Sequence, residues 1–328
     1  MCCVFFLLIV GLYFLYKVYE YHKGKTSVEN INNRYVLITG CDSGFGNALA
    51  LLLDKKGVPV FAACLTEKGG TKLKNKTSSR LRVLQLDVTD QNSIHNAVEF
   101  VKHHLPKSSG LWGLVSNAGL QVLHAPLEFH SPEAVEKCLS VNLFGSINMT
   151  RSFLPLLRKE KGRLVYVTSE CVFREQACRA PYVISKVGVE SLAECLRREL
   201  YEVGVTIHTI QPGAFKTNIV EDFNEMKSIL QRAFDAVDEE VQEFYGQHWL
   251  SKTKESCDRI PHVQCKDLSL VTNAIYHALF SVMPKKRYRC GPDCIYYFYP
   301  ISLLPEWFNT WYWSMSPPPD AVTKIQKK

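Results

Sequence analysis

Short apolar runs recur at residues 35–39, 58–64, 81–86, 112–116, 162–168, 205–211 and 287–290. Between them lie longer stretches, 45–56, 67–75, 91–105, 132–160, 181–203 and 266–282, where apolar residues return every three or four positions. The first pattern predicts strands buried on both faces and the second predicts amphipathic helices. Their alternation predicts an α/β fold, a doubly wound parallel sheet of about seven strands covered by helices on both sides. Such sheets bind ligands beyond the carboxyl ends of their strands. Gly40, Asp87, Asn117, Ser169 and Pro212 all fall at predicted strand ends. From Thr217 to Pro261 the alternation stops. Phe223, Met226, Ile229, Leu230, Phe234 and Val237 form an apolar stripe there, with Glu221, Asp222, Glu225 and His248 as the polar candidates.

Two motifs carry chemistry. The strand at 35–39 runs into Gly40, Gly44 and Gly46 and then a helical pattern. Glycines in that context let the backbone approach a pyrophosphate at a helix N-terminus. The spacing, Gly-x-x-x-Gly-x-Gly, differs from the Gly-x-Gly-x-x-Gly of long-chain dehydrogenases. Further on, Tyr182 and Lys186 stand one helical turn apart, thirteen residues after Ser169. A lysine ammonium one turn away favours a phenolate, and a serine hydroxyl beside it can hold a substrate oxygen. That arrangement suits proton transfer to or from an alcohol or carbonyl. On a surface helix the same pair is simply a solvated face, so the weight falls on the motifs around it.

Taken together, these residues resemble the short-chain dehydrogenase/reductase family. Thr39-Gly40-Cys41-Asp42-Ser43-Gly44-Phe45-Gly46 matches its glycine signature, and Asp87 with Val88 matches its adenine contact. Asn117, Ala118 and Gly119 match its Asn-Asn-Ala-Gly segment, with Ser116 in place of the first Asn. Asn142 matches the catalytic asparagine, and Pro212-Gly213 with Thr217 matches the segment that holds the nicotinamide amide. The resemblance covers about residues 33–295. It implies a Rossmann-type sheet, catalysis by Tyr182, Lys186, Ser169 and Asn142, and a substrate lid over 217–261. Tyr182 would take the hydroxyl proton, Lys186 would lower the Tyr182 pKa, Ser169 would hold the substrate oxygen and Asn142 would anchor a water. Within the family, similarity runs to membrane-bound 17β- and 11β-hydroxysteroid and retinol dehydrogenases and to 3-hydroxybutyrate dehydrogenases. The implied substrate is an apolar alcohol, a steroid first and a retinoid next, with 3-hydroxybutyrate as the alternative. No arginine cluster stands in an obvious place for a substrate carboxylate. A non-catalytic NAD(H)-binding scaffold is a reading of another class. The charged stretch from Glu170 to Arg179 beside the active-site motif and Ser116 both speak for it, and the intact tetrad speaks against it.

The cofactor follows from charge. NADP needs a cation in the glycine turn or after the second strand. The turn is Cys41-Asp42-Ser43 and the second strand ends Cys64-Leu65-Thr66-Glu67, so NAD is expected. At the amino end Cys2–Tyr16 is uncharged and reads as a transmembrane anchor over residues 1–21. Residues 22–33 follow as a linker, 34–294 as the catalytic domain and 295–328 as an aromatic-rich, membrane-associated tail. Pro300 and Pro305 should break any long helix in that tail. Basic residues after the anchor place the domain on the cytosolic side, with the endoplasmic reticulum as the expected membrane. Cys2 and Cys3 are candidate acylation sites. The 328 residues are 46% apolar with a net charge of +7. Scattered basic residues give no footprint for nucleic acid. Twelve irregularly spaced cysteines form no disulfide framework and no metal site. A homodimer is compatible with the family.

Overall fold

The computed structural model describes residues 2–174, 177–217 and 223–314, without the side chains of residues 2–4, 6–8, 223 and 259–263. Glu221, Asp222, residues 315–328 and the Cys2 and Cys3 side chains therefore lie outside the described residues.

Seven strands form one sheet: β1 (Val36–Thr39), β2 (Val60–Cys64), β3 (Leu81–Gln85), β4 (Gly113–Ser116), β5 (Arg163–Val167), β6 (Thr206–Pro212) and β7 (Arg287–Cys290). Their order is β3-β2-β1-β4-β5-β6-β7, and every neighbouring pair is parallel. Each lies within two residues of its expected bounds. β1, β2, β4 and β5 are buried at every position, which is why those runs show no polar alternation.

Helices α1 (Cys2–Gly24), α2 (Gly44–Lys55), α3 (Glu67–Lys74), α4 (Gln91–His104), α5 (Pro132–Leu139), α6 (Gly145–Glu160) and α7 (Ala180–Glu199) precede α8 (Phe223–Ala236), α9 (Glu239–Val263), α10 (Ser269–Phe280), α11 (Tyr299–Ser302) and α12 (Glu306–Trp313). On one face of the sheet Leu49 and Leu53 of α2 pack with Ile275 and Leu279 of α10. On the other face Ile94 and Val101 of α4, Phe153 and Leu157 of α6, and Val189 and Ala193 of α7 close the second core. Side chains mark several helix starts: Thr66 accepts from Gly69 N, Asp90 from Asn92 N, and Ser131 from Ala134 N ahead of Pro132.

Three features differ from the pattern. The single helix expected over 132–160 is α5 and α6 joined by a π-helical turn, Ser140–Phe144, which holds Asn142. Second, Pro300 does not end the tail helix: it lies in the first turn of α11, which starts at Tyr299 directly after another π-helical turn, Cys294–Phe298, while Pro305 precedes α12. A wider turn has already given up the bond that proline cannot make. Third, among the described residues no helix is long and apolar enough to cross a membrane. α1 is helical over 23 residues, but Lys17, Glu20 and Lys23 interrupt its second half, and Lys17 pairs with Glu20 at 2.6 Å.

The stretch expected as a linker is pinned to the body. Val28 N donates to Phe280 O, Val282 N donates to Thr26 O, and Ser281 Oγ donates to Gly24 O. The segment expected as a lid forms α8 and α9, with Gly246 at φ 78° breaking α9. Leu230, Phe234, Tyr245 and Trp249 bury a small core against Ala125 and Phe129.

Candidate active site

One cleft of about 1360 Å³ opens at the carboxyl ends of the strands. Residues from the glycine turn, from the β3, β4 and β5 ends, from α7, from the Pro212–Thr217 loop and from the lid all line it.

Its glycine-turn end is built by close backbone approach. Gly40 (φ 70°) and Gly44 (φ 60°) adopt left-handed conformations that favour glycine. Gly46 sits so near that a Cβ there would lie 2.3 Å from Gly40 O. Asn117 fixes the turn from β4: its Nδ2 donates to Thr39 O at 2.9 Å and Gly40 O at 3.1 Å, and Thr39 Oγ1 accepts from the Asn117 and Ala118 amides. Asp42 turns toward the end of β2, where it accepts from Leu65 N (2.8 Å), Thr66 N (2.9 Å) and Thr66 Oγ1 (2.6 Å). Asp87 accepts from Thr89 N and Oγ1. Ser43, Phe45, Val88, Pro212, Gly213 and Thr217 also line the cleft. Thr217 stands against Gly44, where an added Cβ would meet it at 3.5 Å. At the far end Asp293 Oδ2 accepts from Ala214 N at 2.7 Å, and its carboxylate leaves room only for glycine at 213. A helix N-terminus, left-handed glycines and a cradle that a Cβ would fill are the features that hold a dinucleotide pyrophosphate.

The other end gathers Ser169, Tyr182 and Lys186 of the expected tetrad, while Asn142 stands behind the lining. Asn142 is buried and saturated: Nδ2 donates to Leu120 O and Ser185 Oγ, both at 3.0 Å, and Oδ1 accepts from Leu120 N at 2.8 Å. Ser116, which replaces the family's Asn, donates to Ser146 Oγ at 3.0 Å, and Ser146 Oγ donates to the Asn142 carbonyl at 2.8 Å. A hydroxyl pair thus supports the π-helical turn from β4. Lys186 Nζ donates to Val167 O at 3.1 Å and lies 5.7 Å from the Tyr182 ring centroid. Ser169 and Tyr182 both line the cleft, and the serine hydroxyl favours the ionised phenol.

Electrostatics differ from the expectation. Burial drives the Tyr182 phenol well above its ordinary value; Cys171 and Glu170 add to this, while Arg179 and the Ser169 hydrogen bond oppose it. Burial holds Lys186 itself below its ordinary value. The cation nearest the phenol ring is Arg179, 4.8 Å from its centroid. Arg174 and Arg179 line the cleft, contrary to the expectation of no arginine cluster there. His124 also lines it, pushed down to about 4 by burial and then by the charge of Arg179, so it is neutral near pH 7. Glu170 and Arg174, both buried, form an ion pair at 3.1 Å behind Ser169. The charged Glu170–Arg179 stretch was the sequence's signal for this group, and only the fold shows that it turns inward. From the lid, Met226, Ile229, Glu225, Ser256 and Gln264 line the cleft; His248 is exposed and does not.

The chain matches the family model described as short chain dehydrogenase over residues 34–228. It is 40% identical over 321 residues to retinol dehydrogenase 7 of Rattus norvegicus, covering 97% of this chain and 99% of the relative. It is 41% identical to 17-beta-hydroxysteroid dehydrogenase type 6 of the same species, covering 90% and 92%. Among solved structures, a short-chain dehydrogenase from Streptomyces avermitilis superposes with a TM-score of 0.66 at 23% identity, covering 81% of this chain and 92% of that one. The chain belongs to the short-chain dehydrogenase family and is an oxidoreductase.

Proposed function

We propose that the protein interconverts an apolar alcohol and its ketone or aldehyde with NAD, a steroid being the first candidate substrate and a retinoid the second. The observation that carries this is the meeting of Tyr182, Ser169 and Lys186 at one end of a cleft whose other end is the glycine turn, with Asn142 buried behind them. Full-length similarity to retinol and hydroxysteroid dehydrogenases supports the substrate class. Met226, Ile229 and Phe298 give the cleft apolar walls beside that tetrad.

Gly40, Ser43, Gly44, Phe45 and Gly46 would hold the pyrophosphate, Asp87, Val88, Asn117, Ala118 and Gly119 the adenosine side, and Pro212, Gly213 and Thr217 the nicotinamide. The bound dinucleotide supplies a hydride acceptor. Tyr182 takes the proton from the substrate hydroxyl, and Ser169 holds the substrate oxygen against it. Lys186, fixed by Val167 O, would hold the cofactor ribose beside the phenol. Asn142 is a rigid post for the backbone at Leu120. NAD is favoured because the Asp42 carboxylate stands at the end of β2, where a 2′-phosphate would meet like charge.

The molecule also presents apolar surface at both ends. Phe5, Leu12, Tyr13, Phe14 and Leu15 on α1, and Tyr296, Leu303, Trp307 and Trp311 in the tail, are all more than half exposed. Patches of this kind suit a lipid interface. We place the enzyme on the endoplasmic reticulum membrane, with α1 as anchor and the catalytic domain, residues 34–294, on the cytosolic side. The family is compatible with a homodimer.

Initial rates of the detergent-purified protein against androstanediol, estradiol, corticosterone, retinol and 3-hydroxybutyrate, each with NAD and NADP, test this reading. Turnover of a steroid or retinol with NAD is expected. Oxidation of 3-hydroxybutyrate alone, or cofactor binding without turnover of any alcohol, would overturn it.

A further inference from the structure

Beside Tyr182 the structure puts a second cation. Arg179 precedes the tyrosine by three residues and Lys186 follows it by four, so the three lie along one stripe at the start of α7. Arg179 is the residue directly before the helix, and its carbonyl accepts from Val183 N at 3.0 Å. Its guanidinium lies 4.8 Å from the centroid of the Tyr182 ring, against 5.7 Å for Lys186 Nζ. Both cations line the cleft.

The two differ in how firmly they keep their charge. Lys186 is buried, donates to Val167 O and is held below its ordinary value by burial. Arg179 is half-buried, and a guanidinium stays charged at any pH a folded protein meets. A cation over the face of a neutral phenol meets only a quadrupole; over a phenolate it meets a full negative charge. The second attraction is the larger, so such a cation favours ionisation. Against it stand burial first, then Cys171 and Glu170 from the turn after β5. The Ser169 hydroxyl acts with it. Among the other groups around the phenol, Cys138 of α5 packs in the same cluster as a thiol that burial raises, and Arg174 is paired with Glu170. His124, which Arg179 also pulls down, is neutral near pH 7. A charge acts through space, so Arg179 can do this while keeping other partners.

We propose that Arg179 is a positioning residue for the reaction: lying over the Tyr182 ring, its fixed charge holds the phenolate through which the substrate proton passes. The family resemblance gives that task to Lys186, so the inference goes beyond it. It rests on the reading of Tyr182 as the proton carrier.

The test reads the phenol itself. Protein labelled with difluorotyrosine carries a more acidic phenol, which brings the titration into a range where the fold survives. The fluorine NMR resonance that is missing from Tyr182→Phe belongs to residue 182, and its shift is followed against pH without substrate. Arg179→Met should raise the midpoint by about one pH unit, tenfold in the ionised fraction. Arg179→Lys, which keeps a charge, should stay near the native value. Arg179→Gln is the second neutral variant should the Met protein fail to fold. In unlabelled protein the rising limb of alcohol oxidation should move to higher pH by the same interval in Arg179→Met, with NADH affinity unchanged. A rate lowered at every pH with the phenol midpoint in place would make Arg179 a packing or substrate contact and overturn the proposal. A midpoint raised equally by Arg179→Lys and Arg179→Met would overturn it too. A native protein that oxidises none of the panel, while its Tyr182 midpoint still depends on Arg179, would count against the proposed function and uphold the role of Arg179 over the phenol.

Discussion

Asp42 illustrates how much one side chain can combine. In the proposed reading its charge opposes a 2′-phosphate, and its oxygens also tie the glycine turn to the start of α3 through Leu65 and Thr66. Asn in its place keeps one acceptor oxygen and loses the charge. Asp42→Asn should therefore narrow the NAD over NADP preference by about three- to tenfold and lower the melting temperature as well. Initial rates over cofactor concentration and a thermal melt read the two effects separately; an unchanged preference would remove Asp42 from the explanation. His208 gives a second prediction at this scale. It is buried in β6, with Nδ1 donating to Lys285 O at 2.7 Å and Nε2 facing Thr206 Oγ1 at 2.9 Å, so the neutral ring meets both partners. Burial first, then the nearby Arg163 and Arg197, push it down to about 3. The unfolded chain then binds the extra proton as pH falls below about 6.5, so the stability is full above that value and is lost toward pH 3. By pH 5 the loss is about 2 kcal/mol from this group. Melting curves between pH 5 and 8 should show it, with a flatter slope in His208→Gln; equal slopes would assign the pH dependence elsewhere.

At the scale of elements, strands and helices were legible because burial and period coincide. β1, β2, β4 and β5 are continuous apolar runs for the plain reason that helices cover both of their faces. The π-helical turn at Ser140–Phe144 was not legible, because an extra residue in one turn leaves the three-to-four spacing intact. The inward turn of Glu170 and Arg174 was hidden for a different reason: charges read as surface until a buried partner is found. The glycine turn was legible in its spacing, and the structure adds its tightest point. In Gly46→Ala the new methyl would lie 2.3 Å from the Gly40 carbonyl, a backbone atom that cannot swing away. The substitution should destabilise the protein by about 1–3 kcal/mol and weaken NADH binding, read by melting and by NADH fluorescence titration. Native-like affinity would show that the turn has slack the geometry denies.

Across the whole molecule, the catalytic body sits between two apolar ends. The amino end is fixed to it where the segment from Gly24 to Val28 bonds to Phe280, Ser281 and Val282, so α1 leaves the body at a set place. Composition alone marked both ends as apolar, but the charges within α1 set the limit on what that run can do. Deleting residues 1–21 should move the protein from an alkali-washed membrane pellet toward the soluble fraction, with the exposed Trp307 and Trp311 leaving some peripheral attachment. Full retention in the pellet would assign anchoring to another part of the chain.

The central claim, that the Tyr182 phenol moves the substrate proton, is tested most directly by comparing native protein with Tyr182→Phe in one assay of NADH formation, using the best alcohol from the panel. Phenylalanine keeps the ring and removes only the oxygen. The account predicts a rate lower by about 10²–10⁴-fold with NADH affinity nearly unchanged by fluorescence titration. A rate within threefold of native would contradict it.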